Sequence, residues 1–276
     1  MIGLHLIYCG TNTLVVKKGQ STLFIDPHFT RPSLWSLLGK IQPDPEKIKI
    51  GINGPRIGRL DGVLLTHAHY DHALDASEVV RQSGGVIYGS RSAVNLAKGA
   101  GLGEDQYQTV NPGEFINVGA FSVNFHPGQH IKLPTSLRRF LPEAGEITQP
   151  LSPPAWFWQY QCGEVYAIQV DYLLVFGSAG FTPGAYAGLD IKTVILAIGG
   201  LETKTRAYLE ELYQETVLST GAQQVLLSHW DNFFRLPRPG IKPLGLANRT
   251  VDRLKELGLR YGQSVRTLPY GEAPMI

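Results

Sequence analysis

The chain has 276 residues, 43% of them hydrophobic and 17% charged, with eight histidines, two cysteines and a formal net charge of +2. That is enough apolar sequence for a sizeable core in one or two domains. It excludes a disulfide framework and a strongly basic nucleic-acid surface, and no apolar run approaches the roughly 18 residues that span a bilayer. The N-terminal segment lacks the basic start of a secretory signal, so a cytoplasmic protein without a membrane span is expected. With only Cys9 and Cys162 available, a metal is expected to use His and carboxylate ligands.

In chain order, runs at 4–8, 14–17 and 21–25 are β-prone and separated by turn residues, so a meander is expected at the start. Residues 26–59, rich in Pro and Gly, read as a long irregular loop of the kind that is usually functional. A short apolar strand at 62–65 feeds into Thr66-His67-Ala68-His69-Tyr70-Asp71-His72. A helix follows, predicted to start with Asp75 as N-cap and Glu78 at capping-box spacing, and to end at Gly84-Gly85. A strand at 86–88, a helix at 92–100 and strands at 107–110, 115–118 and 121–125 complete the first half.

Residues 127–163 form a second irregular stretch containing Trp156-Phe157-Trp158-Gln159-Tyr160, a candidate substrate wall or lid. Strands are then predicted at 166–170, 173–176, 193–197, 224–227 and 265–268, with helices at 205–219 and 248–257. No linker divides the chain, so 1–276 is read as one domain. Val63-Leu64-Leu65-Thr66-His67 and Val225-Leu226-Leu227-Ser228-His229 echo each other, each an apolar strand, a hydroxyl residue and a His. The echo suggests two related halves that deliver histidines to one rim.

The segment from His67 to His72 puts three imidazoles and one carboxylate within six residues. Side chains at offset two leave an extended segment on the same side, so His67 and His69 can share one ion. The turn after them lets Asp71 and His72 face a second ion. Such N and O donors suit zinc, and also manganese or iron.

The His-x-His-x-Asp-His pattern resembles the metallo-β-lactamase superfamily, and the resemblance extends along most of the chain. Asp26-Pro27 looks like the family's early supporting Asp, His130 in His126-Pro127-Gly128-Gln129-His130 like the third ligand of the first ion, and His229 like the last ligand of the second. The resemblance implies an α+β four-layer αββα sandwich, two mixed sheets flanked by helices, with two zinc ions at one edge. Phe176-Gly177-Ser178-Ala179-Gly180 departs from the pattern, because Ser178 stands where most members carry the Asp that bridges both ions. The remaining donors still divide into His67, His69, His130 and Asp71, His72, His229, a division similar to that of the third subclass of true metallo-β-lactamases. The short meander and the Pro-Gly-Gln-His run look most like the branch of cytosolic lactonases and phospholipase-D-like hydrolases of N-acyl phospholipids.

These features imply a metal-dependent hydrolase using a metal-bound hydroxide, oriented by Asp71, on an ester, lactone or phosphodiester. The alternative is a non-catalytic metal-binding or sensor protein on the same fold. Lys132, Arg138 and Arg139 after His130, and Arg235, Arg238 and Lys242 after His229, raise the expectation of an anionic or lipid-like small-molecule substrate. Tyr70 and Ser178 are further candidates beside the substrate, and Asp26, Asp75 and Asp231 are candidate orienters of the imidazoles. His5, His28 and His126 are read as core, loop and competing-ligand histidines, with His130 preferred over His126.

Overall fold

The computed structural model describes residues 3–54, 57, 59–134, 144–232, 234–235, 240, 243 and 245–272. The opening meander is strands β1 (His5–Tyr8), β2 (Leu14–Lys18) and β3 (Ser21–Ile25). Then come β4 (Lys40–Ile41), helix α1 (Pro45–Asn53), β5 (Gly62–Leu64), α2 (Tyr70–Ala73), α3 (Ala76–Ser83), β6 (Val86–Gly89), α4 (Arg91–Gly99) and β7 (Tyr107–Thr109). The second half contains β8 (Phe115–Val118), β9 (Phe121–Pro127), β10 (Ala155–Trp156), β11 (Tyr166–Val170), β12 (Leu173–Phe176) and β13 (Thr193–Ala197). It closes with α5 (Arg206–Thr216), β14 (Gln224–Ser228), α6 (Leu246–Tyr261), β15 (Ser264–Thr267) and β16 (Gly271–Glu272).

One seven-stranded sheet has the order β16-β1-β2-β3-β5-β6-β7 and the other β15-β14-β13-β12-β11-β9-β8, while β4 pairs with β10. Each large sheet is mixed. In the first, β1, β2 and β3 are antiparallel and β3, β5, β6 and β7 parallel. In the second, β8, β9, β11 and β12 are antiparallel and β12 through β15 parallel.

Alternation along the strands assigns the layers, because successive side chains point to opposite faces. Leu6, Leu23, Ile25 and Leu64 join Val123, Phe125, Ile168 and Val175 in a core between the sheets. Their neighbours Ile7, Phe24 and Val63 turn outward and pack with Ile48 and Ile52 of α1, Val79 and Val80 of α3, and Leu96 of α4. On the far side, Leu209 and Leu212 of α5 and Val251 and Leu254 of α6 cover the second sheet. The order is helices, sheet, sheet, helices, the αββα sandwich implied by the resemblance.

Two local expectations are corrected. The stretch 26–59 is not uniformly irregular: it holds a 3₁₀ turn at Leu34–Leu38 and α1, where Pro45 takes the first turn and the Asp44 carboxylate accepts from Lys47 N at 3.2 Å. Asp75 precedes α3 but does not cap it, because its carboxylate accepts instead from Phe29 N at 2.5 Å, Thr30 N at 2.7 Å and the Thr30 hydroxyl at 2.5 Å. Donors from a distant loop outcompete the helix's own amides, and Glu78 turns to Arg81 and Gln82. Among the described residues, no helix is long and apolar enough to cross a membrane.

Candidate metal centre

The chemistry-bearing residues collect where strands end on one rim. Asp26 follows β3, Thr66 and His67 follow β5, His130 lies beyond β9, Ser178 follows β12, Gly199 follows β13 and His229 follows β14. Parallel strands present their C-terminal ends together, which explains why residues remote in sequence converge here.

Nε2 of His67 lies 3.1 Å from Nδ1 of His69. Tetrahedral ligands with bonds of about 2.0–2.1 Å stand roughly 3.3 Å apart, so this separation fits two donors to one ion. The His130 ring centroid is 5.2 Å from that of His67 and 4.7 Å from that of His69. In the second group, Oδ2 of Asp71 lies 3.4 Å from Nε2 of His72 and 3.2 Å from Nε2 of His229. The His67 and His72 rings are only 3.9 Å apart, so the two groups adjoin.

The opposite ring nitrogens have partners that fix ring orientation. Nδ1 of His72 is 2.8 Å from Oδ2 of Asp26, Nδ1 of His67 is 3.1 Å from the Thr66 hydroxyl, and Nδ1 of His130 donates to the Ile131 carbonyl at 2.9 Å. Asp26, fully buried and with φ of 46°, also accepts from Thr66 N and Asn12 Nδ2 at 2.8 Å and from the Thr66 hydroxyl at 2.5 Å. Asn12 in turn accepts from the Ser228 hydroxyl at 2.8 Å, which ties this network to β14.

His229 also has a left-handed backbone, φ 55°, and its amide donates to the Thr11 carbonyl at 2.6 Å. Two residues on, Asp231 accepts from Thr11 N at 2.7 Å and from the Tyr8 hydroxyl at 2.9 Å, and pairs with Arg31 at 2.8 Å. Gly199 completes the seat, because a Cβ there would lie 2.9 Å from His229 Nδ1. Asp75 and Asp231 therefore act on loops and do not orient a ring nitrogen as the sequence suggested.

The electrostatics suit cations. Burial, reinforced by His72, His69 and His130, holds His67 well below the ordinary histidine range, and burial first of all brings His130 down to about 4. Both are neutral donors near pH 7. Burial opposes the charge on Asp71, but His72 and His229 outweigh it and keep the carboxyl well below its usual range. Burial likewise opposes charge on His72, yet Asp71 and Asp26 push it up to about 10. The field that favours a proton there also favours a metal cation.

A cavity of about 310 Å³ opens over these groups, lined by His69, Tyr70, Asp71, His72, His130, Ser178 and His229 among others. Ile131, Leu133, Ile198 and Trp230 give it an apolar wall, and its charged side chains are Asp71, Glu202 and Asp231, with no Lys or Arg among the described lining residues. Tyr70 contributes to the wall with its hydroxyl buried. The Ser178 hydroxyl accepts from Ile131 N at 3.0 Å, which fastens the loop carrying His130. Arg235 is exposed, and its carbonyl accepts from Arg31 at 2.7 Å. Arg138, Arg139, Arg238 and Lys242 lie outside the described residues.

His126 lies apart from the centre, with Nε2 2.9 Å from Oε1 of Gln169, and His28 packs edge-on to Tyr70. His5 is half-buried on β1. The aromatic run reaches the site indirectly, through Phe157, whose centroid is 6.4 Å from that of Tyr70.

Sequence reasoning missed Cys162 and Arg31. Cys162 joins His67 and His69 in a group whose donor atoms all lie within 4.8 Å of one another, a neighbour that the expectation of His and carboxylate donors did not include. The available signal was a Cys just before β11, the strand that pairs with β9 on the way to His130. Arg31 carried only the signal of a cation beside the Asp-Pro segment.

A sequence model of the metallo-beta-lactamase superfamily matches residues 8–165. A metal-dependent hydrolase of Christiangramia forsetii is 33% identical over 92 residues, 33% of this chain and 34% of its own length. One from Myxococcus xanthus is 27% identical over 205 residues, 71% of this chain and 61% of its own length. The chain thus spans less than two thirds of these curated relatives. Among solved structures, Igni18, a metallo hydrolase of Ignicoccus hospitalis, matches with a TM-score of 0.58 at 19% identity, over 99% of this chain and 98% of that one, which is a likeness of fold. With the superfamily model covering more than half of the sequence, the chain belongs to the metallo-beta-lactamase superfamily.

Proposed function

We propose that this protein is a metal-dependent hydrolase that holds two divalent cations, preferably zinc, and cleaves an ester or lactone with an apolar acyl portion. The observation that carries the reading is the pair of adjoining donor groups beneath a cavity of about 310 Å³. Two such cations supply an activated water at neutral pH and polarise a substrate oxygen. His67, His69 and His130 are the candidate donors of the first group and Asp71, His72 and His229 those of the second.

The chain's own residues do the rest. Asp71, held ionised, accepts the hydrogen bond that orients the attacking water. Asp26 and Thr66 keep the His72 and His67 rings turned toward the centre. Ile131, Leu133, Ile198 and Trp230 exclude water from one side of the cavity and favour an apolar acyl group. That apolar wall is the feature that favours an ester or lactone over a phosphodiester.

The test is hydrolysis of a panel of esters, lactones and phosphodiesters by zinc-loaded protein, before and after chelation. Turnover of apolar esters or lactones, abolished by chelation and restored by zinc, is expected. A tightly held ion with no turnover of any substrate would instead favour a sensor protein.

A further inference from the structure

We propose that Cys162 is a ligand of the ion held by His67 and His69, supplying a thiolate sulfur from the side of the centre away from the substrate cavity. This rests on the metal-binding reading above and adds a donor that the His and Asp motif does not contain.

The geometry is specific. Cys162 is buried, and its Sγ, with one ring nitrogen each from His67 and His69, forms a set of three donors within 4.8 Å of one another. Its position is fixed by the backbone: the Cys162 carbonyl accepts from the amide of Ala68, the residue between the two histidines, at 2.9 Å. Just beyond it, Tyr166 N donates to the Thr66 carbonyl and Gly128 N to the Val165 carbonyl, both at 2.8 Å. The segment bearing the thiol is thereby fastened to both loops that carry the first group of histidines. Two imidazoles and a thiolate are a donor set that zinc accepts readily.

Charge gives the cysteine a purpose. The second group contains a carboxylate, Asp71, whereas the first otherwise offers only imidazoles. Ser178, a neutral residue that lines the substrate cavity, already receives the Ile131 amide. A thiolate at Cys162 gives each group one anion. Cys162 is absent from the lining of the substrate cavity but shares a second cavity with His130. Cys162 would thus reach the first group from that second cavity, while Asp71, His72 and His229 line the substrate cavity.

Cys9 is the internal control. It is the only other thiol in the chain, is buried, has its carbonyl facing Arg31, and belongs to neither donor group. Burial, only partly countered by Arg31, pushes its thiol up to about 12.

The test uses the full chain. Zinc-edge X-ray absorption on the unmutated protein with both sites filled is expected to show a sulfur neighbour at about 2.3 Å, averaging one sulfur for every two zinc ions. The cobalt(II)-substituted protein is expected to show a near-ultraviolet sulfur-to-cobalt charge-transfer band that Cys9→Ser retains and Cys162→Ser abolishes, with first-ion affinity about tenfold or more weaker. Visible cobalt bands without a sulfur signature in the unmutated protein would overturn ligation by Cys162 while leaving the metal centre intact. A sulfur band that survives Cys162→Ser, or is lost in Cys9→Ser, would also overturn it. No cobalt bands at all would overturn both this inference and the metal-binding reading.

Discussion

Asp26 and His229 both adopt a left-handed backbone that non-glycine residues rarely take, and both are held there by hydrogen bonds aimed at the centre. The strain places a carboxylate behind His72 and a ring over Gly199. Ser178 shows the same economy at a neutral residue, since its hydroxyl is the acceptor for the buried Ile131 amide next to His130. Ser178→Ala removes that acceptor and is expected to destabilise the fold by about 1–3 kcal/mol, with weaker metal retention. Thermal unfolding of metal-loaded and metal-free protein measures both, and an unchanged midpoint would show that the amide finds another acceptor. At this scale the histidines were legible because their spacing is local, from His67 to His72. The proximity of Cys162 was not, because only the bonds from Ala68 N to the Cys162 carbonyl and from Tyr166 N to the Thr66 carbonyl bring a remote thiol to that loop.

Strands were legible as elements because alternating apolar residues and turn chemistry mark them directly, and the same pattern predicts which face is buried. Helix α1 was obscured by the density of Pro and Gly around it, although Asp44-Pro45 is an N-terminal signal. Asp75 misled for the opposite reason: its local context is that of a cap, but Phe29 and Thr30 claim the carboxylate.

That exchange has a pH signature. Burial, opposed by the hydrogen bonds from Thr30 and Phe29, pushes the Asp75 carboxyl up to about 6. A folded-state value above the unfolded value of about 4 means that the folded chain binds this proton more tightly, so the associated stability is full below about pH 4 and falls as pH rises through about 6. Asp75→Asn keeps the shape and an acceptor oxygen without the charge. The variant is expected to gain stability relative to the parent between about pH 4 and pH 7, by up to about 3 kcal/mol. Parallel pH profiles in urea unfolding would contradict this origin.

At the scale of the whole molecule, the two sheets repeat one plan, an antiparallel meander followed by parallel strands. The echo between Thr66-His67 and Ser228-His229 is the sequence trace of that plan, and it delivers one histidine to each donor group. Arg31 and Asp231, both almost fully buried, clamp the loop after β3 to the loop after β14, and Tyr8 and Thr11 add the first turn of the chain to the same knot. The sandwich was legible because strand order and motif agree. The character of the substrate wall was less so, because the cations in the sequence do not line the described part of the cavity, whereas Ile198 and Trp230, unremarkable in sequence, do.

The central claim is that the rim of this sandwich holds two cations in two adjoining groups. Crystals of the zinc-saturated protein, measured for anomalous scattering at the zinc edge, test it directly. Two peaks are expected, one among His67, His69, His130 and Cys162 and the other among Asp71, His72 and His229. Peaks confined to other parts of the surface, or no peak at the rim, would contradict the account.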